Sequence, residues 1–139
     1  MTKFGSYLLF DGNCKEALNF YKECLGGELD ITTVGESTMS AQFPSDKQNK
    51  IVHAQLQSGP IEITASDWLH PTRILKQGNT VCLYISRATN SELKKYFNKL
   101  SEGADPSTID KLVDMPFGAY GALTDKHGIR WMFQGDKAT

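Results

Sequence analysis

The stretches "NCKEALNFYKECLGG" (Asn13–Gly27) and "TNSELKKYFNKLSEG" (Thr89–Gly103) decide the fold, because they read as one helix written twice. In the first, Asn13 is placed to cap and Glu16 follows three residues on. Ala17, Leu18, Phe20, Tyr21, Cys24 and Leu25 then share a face before Gly26 and Gly27 end the run. In the second, Thr89 and Glu92 make a capping box, Leu93, Tyr96, Phe97 and Leu100 recur at helical spacing, and Gly103 closes it. Asn13 and Thr89 lie 76 positions apart, as do Glu16 and Glu92, Phe20 and Tyr96, and Gly27 and Gly103.

A strand-like run precedes each helix, "SYLLFD" in one half and "TVCLYIS" in the other. More follow: "ELDITTVGE", "STMSAQF" and the hairpin "IVHAQLQSGPIEITAS", then "PSTIDKLVDM", "GAYGALTD" and "GIRWMFQG". The offset falls to 70 when Ile63 is set against Phe133, since the polar connection "PSDKQNK" (Pro44–Lys50) lengthens the first half. The chain reads as one α+β domain of two βαβββ modules, about 1–66 and 80–137, with a linker at 67–79. One helix cannot cover both faces of a four-stranded sheet. Pairing the modules, within one chain or between two chains, should leave the helices outside a curved, mostly antiparallel sheet that encloses a cleft.

Composition narrows the function. The 139 residues carry 15 basic and 16 acidic side chains with a net charge of -1, which gives no electrostatic footprint for nucleic acid or an anionic membrane surface. No apolar run reaches the roughly 20 residues of a membrane span, and the N-terminus lacks a signal-peptide core. A soluble cytoplasmic protein with a small-molecule partner is the expectation. Cys14, Cys24 and Cys82 are an odd number without a C-x-x-C pair, and are expected to be buried reduced thiols.

A hairpin turn at Ser58-Gly59 would set Gln55 opposite Glu62 and His53 opposite Thr64. Alternation then gives one polar face with His53, Gln55, Glu62 and Thr64, and one apolar face with Val52, Ala54, Leu56, Ile61 and Ile63 for the helix. By the same rule Val81, Leu83 and Ile85 turn to the second helix, leaving Thr80, Cys82 and Tyr84 inward. In the opening strand Ser6, Leu8 and Phe10 are expected inward, with Tyr7 and Leu9 outward. In the closing strand Ile129, Trp131 and Phe133 go to the helix, with Arg130 and Met132 on the other side.

The blocks "YLLFDGNCKEALNFYKECLGGEL", "IVHAQLQSGPIEITASD" and "FGAYGALTDKHGIRWMF" resemble the PhnB-like branch of the vicinal oxygen chelate superfamily, which includes glyoxalase I, bleomycin-resistance proteins and extradiol dioxygenases. The resemblance covers essentially the whole chain. It implies paired βαβββ modules forming a cup-shaped sheet with a cavity per pair, and usually a homodimer, often with cavities made across the subunit interface. Metal-using members draw four His, Gln or Glu ligands from the first and last strands of the modules. Those positions fall here at Ser6, Glu62, Thr80 and Met132, of which only Glu62 is a competent ligand. Hydroxyls are weak ligands and a thioether favours soft ions, so no metal and no other cofactor is expected.

Glu62 could serve as a general base, as an acceptor for a cationic or hydroxylated ligand, or as a plain strand glutamate. His53 could exchange protons with it or merely satisfy a polar neighbour. Gln55, Trp68, Tyr84, Arg130 and Met132 complete the candidate ligand-binding set, Trp68 by stacking and Arg130 by gripping an anion, unless it pairs with Asp125 or another surface acid. His70 and His127 are expected in a linker and an exposed turn. G-x-G-x-x-G, G-x-x-x-x-G-K-[ST] and G-x-S-x-G do not occur. Some relatives carry a demethylubiquinone methyltransferase label, yet the chain has no doubly wound βα pattern for a methyl-donor cofactor. The leading expectation is a metal-independent small-molecule binder. A lyase or isomerase using Glu62 as proton-transfer base, with or without a divalent metal, is the alternative, and an interaction module with a vestigial cavity is a third.

Overall fold

The computed structural model describes residues 1–136. Lys137, the last residue of the expected second module, lies outside them. Two compact units are present, one spanning Met1–Lys76 and the other beginning at Gln77. Most of the stretch read as a linker thus belongs to the first unit.

The first unit comprises β1 (Ser6–Phe10), α1 (Cys14–Leu25), β2 (Glu28–Thr33), β3 (Ile51–Ser58) and β4 (Ile61–Asp67). The second repeats the plan with β5 (Leu83–Ala88), α2 (Asn90–Leu100), β6 (Asp110–Met115), β7 (Gly118–Thr124) and β8 (Arg130–Gly135). The sheets run β1-β4-β3-β2 and β5-β8-β7-β6, with the β1–β4 and β5–β8 pairs parallel and the rest antiparallel. Each is therefore a mixed four-stranded sheet with one helix, as the βαβββ reading requires. "STMSAQF" is not a strand: β2 ends at Thr33 and a single 3-10 turn forms at Ser40–Gln42.

The helices pack by the stripe that the sequence displays. In α1 Cys14, Ala17, Leu18, Phe20, Tyr21, Cys24 and Leu25 are buried against β2, β3 and β4. In α2 Leu93, Phe97 and Leu100 are buried, and the Phe97 ring meets Phe133 of β8 edge-on at 5.1 Å. Burial of such side chains contributes roughly 1.5–3 kcal/mol each. Gly27, at φ +93°, closes α1 where a Cβ would come within 2.2 Å of the Gln57 carbonyl oxygen, so no other residue fits.

The two helices begin differently. Thr89 and Glu92 form the expected reciprocal capping box on α2. Asn13 makes no side-chain cap on α1; the Cys14 N–H donates instead to Asp67 Oδ1 at 2.9 Å, from the end of β4. Asp67 Oδ2 accepts from the Ile51 N–H at 2.8 Å, which ties in the start of β3. This carboxylate is 3% exposed, and its charge suits the positive end of the helix. Burial and the Asp67 charge push the Cys14 thiol up to about 12, so it stays protonated near neutral pH. Cys24 is also buried, whereas Cys82 is only half-buried, contrary to expectation.

The strand registers correct the sequence reading in three places. The β3–β4 turn falls at Gly59-Pro60, with Ser58 opposite Ile61, so Gln57 faces Glu62 and Gln55 faces Thr64. Gly59 takes φ +58°, the sign needed at the first central position of a type II′ turn. Because the error is two residues, every side chain keeps its face. In β1 the parity is reversed: Ser6 pairs with Ile63 and Leu8 with Ala65, which puts Ser6, Leu8 and Phe10 on the helix side and Tyr7 and Leu9 on the other. Phe10 is accordingly buried and Tyr7 is 54% exposed. Finally, β5 starts at Leu83, leaving Thr80, Val81 and Cys82 outside the sheet and Val81 83% exposed rather than against the helix.

Replacing Asp67 with Ala leaves two buried N–H groups without their acceptor, and should cost about 2–4 kcal/mol in urea unfolding. Asp67→Asn keeps one acceptor oxygen and should lose about half as much. A loss under 0.5 kcal/mol for Asp67→Ala would show that the bridge is not structural.

Candidate functional site

In each unit the helix covers one face of the sheet, and the candidate residues stand on the other. On the first sheet this open face carries Tyr7 and Leu9 from β1, Glu62, Thr64 and Ser66 from β4, and Gln55 and Gln57 from β3. Its β2 edge adds Glu28, Asp30 and Thr32, the last opposite His53. The strands of this sheet contain no Lys or Arg.

Glu62 is the polar centre of this face. Its side chain is 25% exposed, Oε1 accepts from Gln55 Nε2 at 3.1 Å, and Oε2 takes the Lys3 ammonium in a salt bridge. Gln55 reaches it diagonally across the strands. The structure thus brings Gln55 to Glu62, and adds Lys3 from the irregular segment before β1. His53 is not brought there. It is exposed, and the register carries it to the level of Ser66, four residues along β4 or roughly 13 Å from Glu62. Direct proton exchange between His53 and Glu62 has no geometry to support it.

Trp68 is half-buried and fastens the segment after β4. Its backbone N–H donates to the Phe10 carbonyl at 2.7 Å and its indole N–H to the Arg73 carbonyl at 2.7 Å. His70 stands beside it with ring centroids 6.2 Å apart, and His70 Nδ1 accepts from the Thr72 and Arg73 amides. The indole hydrogen bond is used internally, on a self-bonded loop.

On the second sheet Tyr84 pairs in register with Met132, and the Tyr84 hydroxyl donates to Gln134 Oε1 at 2.9 Å. Arg130 shares their face, but its guanidinium is occupied. Nη1 donates to the Thr108 carbonyl at 2.6 Å and to Thr124 Oγ1 at 3.4 Å, while Nη2 bonds Asp110 Oδ2 at 3.0 Å. Its acidic partner is Asp110, a surface acid, and not Asp125, so the pairing with a surface acid weighed from the sequence is the one formed. Asp125 is buried and accepts from the His127 and Ile129 amides and from the Trp131 indole, which fixes the turn and holds His127 half-buried.

Superposing the registers revises the repeat. Ser6↔Ile63 in the first sheet corresponds to Leu83↔Trp131 in the second, and Phe10↔Asp67 to Ala88↔Gly135. The last strands are therefore offset by 68 positions, not 70. Arg130, not Met132, occupies the place of Glu62, and Met132 that of Thr64. The β5 side absorbs one extra residue at a bulge, where Arg87 takes φ +60°.

A four-ligand metal set does not fit these positions. Ser6 lies on the helix face and Glu62 on the open face, while Thr80 precedes β5. Among the described residues no three His, Cys, Asp or Glu side chains gather as a metal site.

Comparison with known proteins agrees with this architecture. A family model carrying the description 3-demethylubiquinone-9 3-methyltransferase matches residues 2–134. The chain belongs to that family. Protein YjdN of Escherichia coli is 31% identical over 137 aligned residues, covering 91% of this chain and 90% of that protein. The structure of protein PA1353 from Pseudomonas aeruginosa is 29% identical, with a TM-score of 0.84 and 98% of each chain covered. The PhnB protein of Bacillus cereus is 25% identical, with a TM-score of 0.71 and coverage of 96% of this chain and 99% of that one. The glyoxylase/bleomycin resistance protein/dioxygenase domain from Frankia sp. EAN1pec shares the fold at 16% identity, with a TM-score of 0.60 and coverage of 98% of this chain and 93% of that one.

The hydrogen bonds make Arg130 a clamp between β8, β7 and the segment before β6. Arg130→Lys should lose about 1–2 kcal/mol in chemical unfolding, because one ammonium cannot reproduce the fork. Asp110→Asn should lose no more than about 0.5 kcal/mol, since Asp110 is well exposed. Equal losses from both would move the weight from the Thr108 carbonyl to the surface ion pair.

Proposed function

We propose that the protein binds a small organic molecule on the open sheet face around Glu62, without a resident metal. The observation that carries this reading is the state of Glu62. Its carboxylate is mostly shielded, oriented by an amide and charge-balanced by an ammonium, on a face that also exposes the Tyr7 ring. A few placed polar groups beside aromatic surface are the ordinary makings of a ligand site. Tyr84, Met132 and Gln134 offer a similar mixture on the second sheet.

Proton-transfer catalysis has weaker support. His53 stands away from Glu62, and both Glu62 oxygens already accept hydrogen bonds. The ligand positions favour a metal-free reading, since Glu62 is the one competent ligand among them and neither Ser6 nor Thr80 joins it on the open face. Methyl transfer, which the family description names, draws on a methyl-donor cofactor held in a doubly wound parallel sheet with a Gly-rich first turn. Each unit here has one helix on a mixed sheet, so that description is not adopted.

Among the described residues no helix is long and apolar enough to cross a membrane, and a cytoplasmic location is part of the proposal. So is a homodimer. Each sheet has one helix, and the open face of the second exposes Tyr84, Val113 and Met115, apolar surface that a partner copy would cover. Light scattering should give twice the chain mass, and a single-chain mass at micromolar concentration would refute the dimer.

For binding itself, aromatic, cationic and phosphonate-like compounds should be screened by thermal unfolding. At least one should raise the midpoint with increasing dose in the wild type and not in Glu62→Gln. A flat response across the panel would favour an interaction module. Divalent metal retained through dialysis at about one per chain, and lost in Glu62→Gln, would overturn the metal-free reading.

A further inference from the structure

The segment before β1 has no regular structure, and Met1 and Phe4 within it are fully exposed. Yet Lys3 crosses 59 sequence positions to seat its ammonium on Glu62. The Lys3 side chain is 72% exposed while that of Glu62 is 25% exposed, so the carboxylate belongs to a formed surface and the ammonium comes to it from solvent. Gln55 holds the other carboxylate oxygen, leaving Oε2 directed at the incoming cation. Tyr7 is two residues from the level of Glu62 on the neighbouring strand and the same face, within reach of a cation's organic body. Phe4 and Gly5 separate Lys3 from β1, and nothing lies within 4 Å of where a Gly5 side chain would start, so the segment is not packed down at that point.

We propose that Glu62 is a cation-recognition point for small organic amines or guanidines, and that Lys3 is its tethered occupant, displaced when such a ligand binds. This rests on the reading of the open face as a small-molecule site and assigns the ligand class to it. The segment before β1 acts as a displaceable strap: its ammonium satisfies Glu62 when the site is empty, and its weak hold sets the threshold a ligand must exceed. An exposed lysine held by one half-buried carboxylate is the right strength for this role, since such a pair is worth little and releases readily. A permanent structural bridge would instead call for burial of both partners. The absence of Lys and Arg from the four strands adds selectivity, because no fixed cation opposes a positively charged ligand or offers an anion a partner.

The test uses benzylamine as the cationic probe, with benzyl alcohol and benzoate as its neutral and anionic counterparts. Binding is followed by the backbone amide shifts of Gln55 and Glu62. In the wild type benzylamine should move these amides, and Lys3→Met should lower its Kd by about two- to fivefold by removing the competitor. Glu62→Gln should abolish the response, and the two counterparts should show no gain from Lys3→Met. An unchanged benzylamine Kd in Lys3→Met overturns the strap. Benzyl alcohol or benzoate binding as tightly as benzylamine overturns the cation assignment alone and leaves the small-molecule reading standing. No response to any probe in the wild type or in Lys3→Met overturns both.

Discussion

The Asp67 carboxylate is the constraint on which the first unit depends. One side chain at the end of β4 accepts from the first amide of α1 and from the first amide of β3, and so sets the helix and two strands in one relation. A buried carboxylate is tolerated only where donors and a favourable field replace water. Here two amides and the helix N-terminus supply both. The equivalent place in the second unit is Gly135, where a Cβ would approach the Asn90 side chain to 3.1 Å. A side chain there would have to push the Asn90 amide aside, and α2 starts instead from its own capping box. One architecture therefore carries two ways of satisfying a helix start, one long-range and one local.

This difference explains what the sequence made legible. The Thr89–Glu92 box was readable because both partners lie within one turn, and the apolar stripes of both helices were readable because burial follows the 3.6-residue period. The Asp67 cap was hidden, since its partners are 53 and 16 positions away and Asn13 offered an adequate local substitute. The faces of β3 and β4 survived an error in turn position, and that of β8 an error in the repeat offset, because each error was two residues and strand side chains alternate with period two. Those of β1 did not, because Tyr7, Leu8, Leu9 and Phe10 are all apolar enough to suit either side. Parallel pairing with β4 decides that case, and no local signal reports it.

The candidate site was legible in part for the same reason. Glu62 and Gln55 were both identified on the open face, although the expected pairing between them was a residue pair away from the actual register. Lys3 was not, since an irregular segment carries no periodicity from which a contact can be inferred. Arg130 was recognised as sharing a face with Met132, but its three hydrogen bonds depend on the path of the chain before β6. A residue type suggests which chemistry is available; the partners already bound decide whether any is left for a ligand.

That distinction separates Glu62 from Arg130, which occupy equivalent places in the two units. Both are charged, partly exposed and paired with an opposite charge. Arg130 also bonds a backbone carbonyl and a hydroxyl of its own unit, so releasing it would leave acceptors unsatisfied and loosen β8 from its neighbours. The charge partner of Glu62 is a lysine on an unstructured segment, and its release exposes an ammonium that water solvates well. Departure of the Arg130 guanidinium is therefore opposed by the fold, whereas departure of the Lys3 ammonium costs little. From the same starting plan, one position has become part of the framework and the other keeps an exchangeable partner, which is what the binding proposal requires of it.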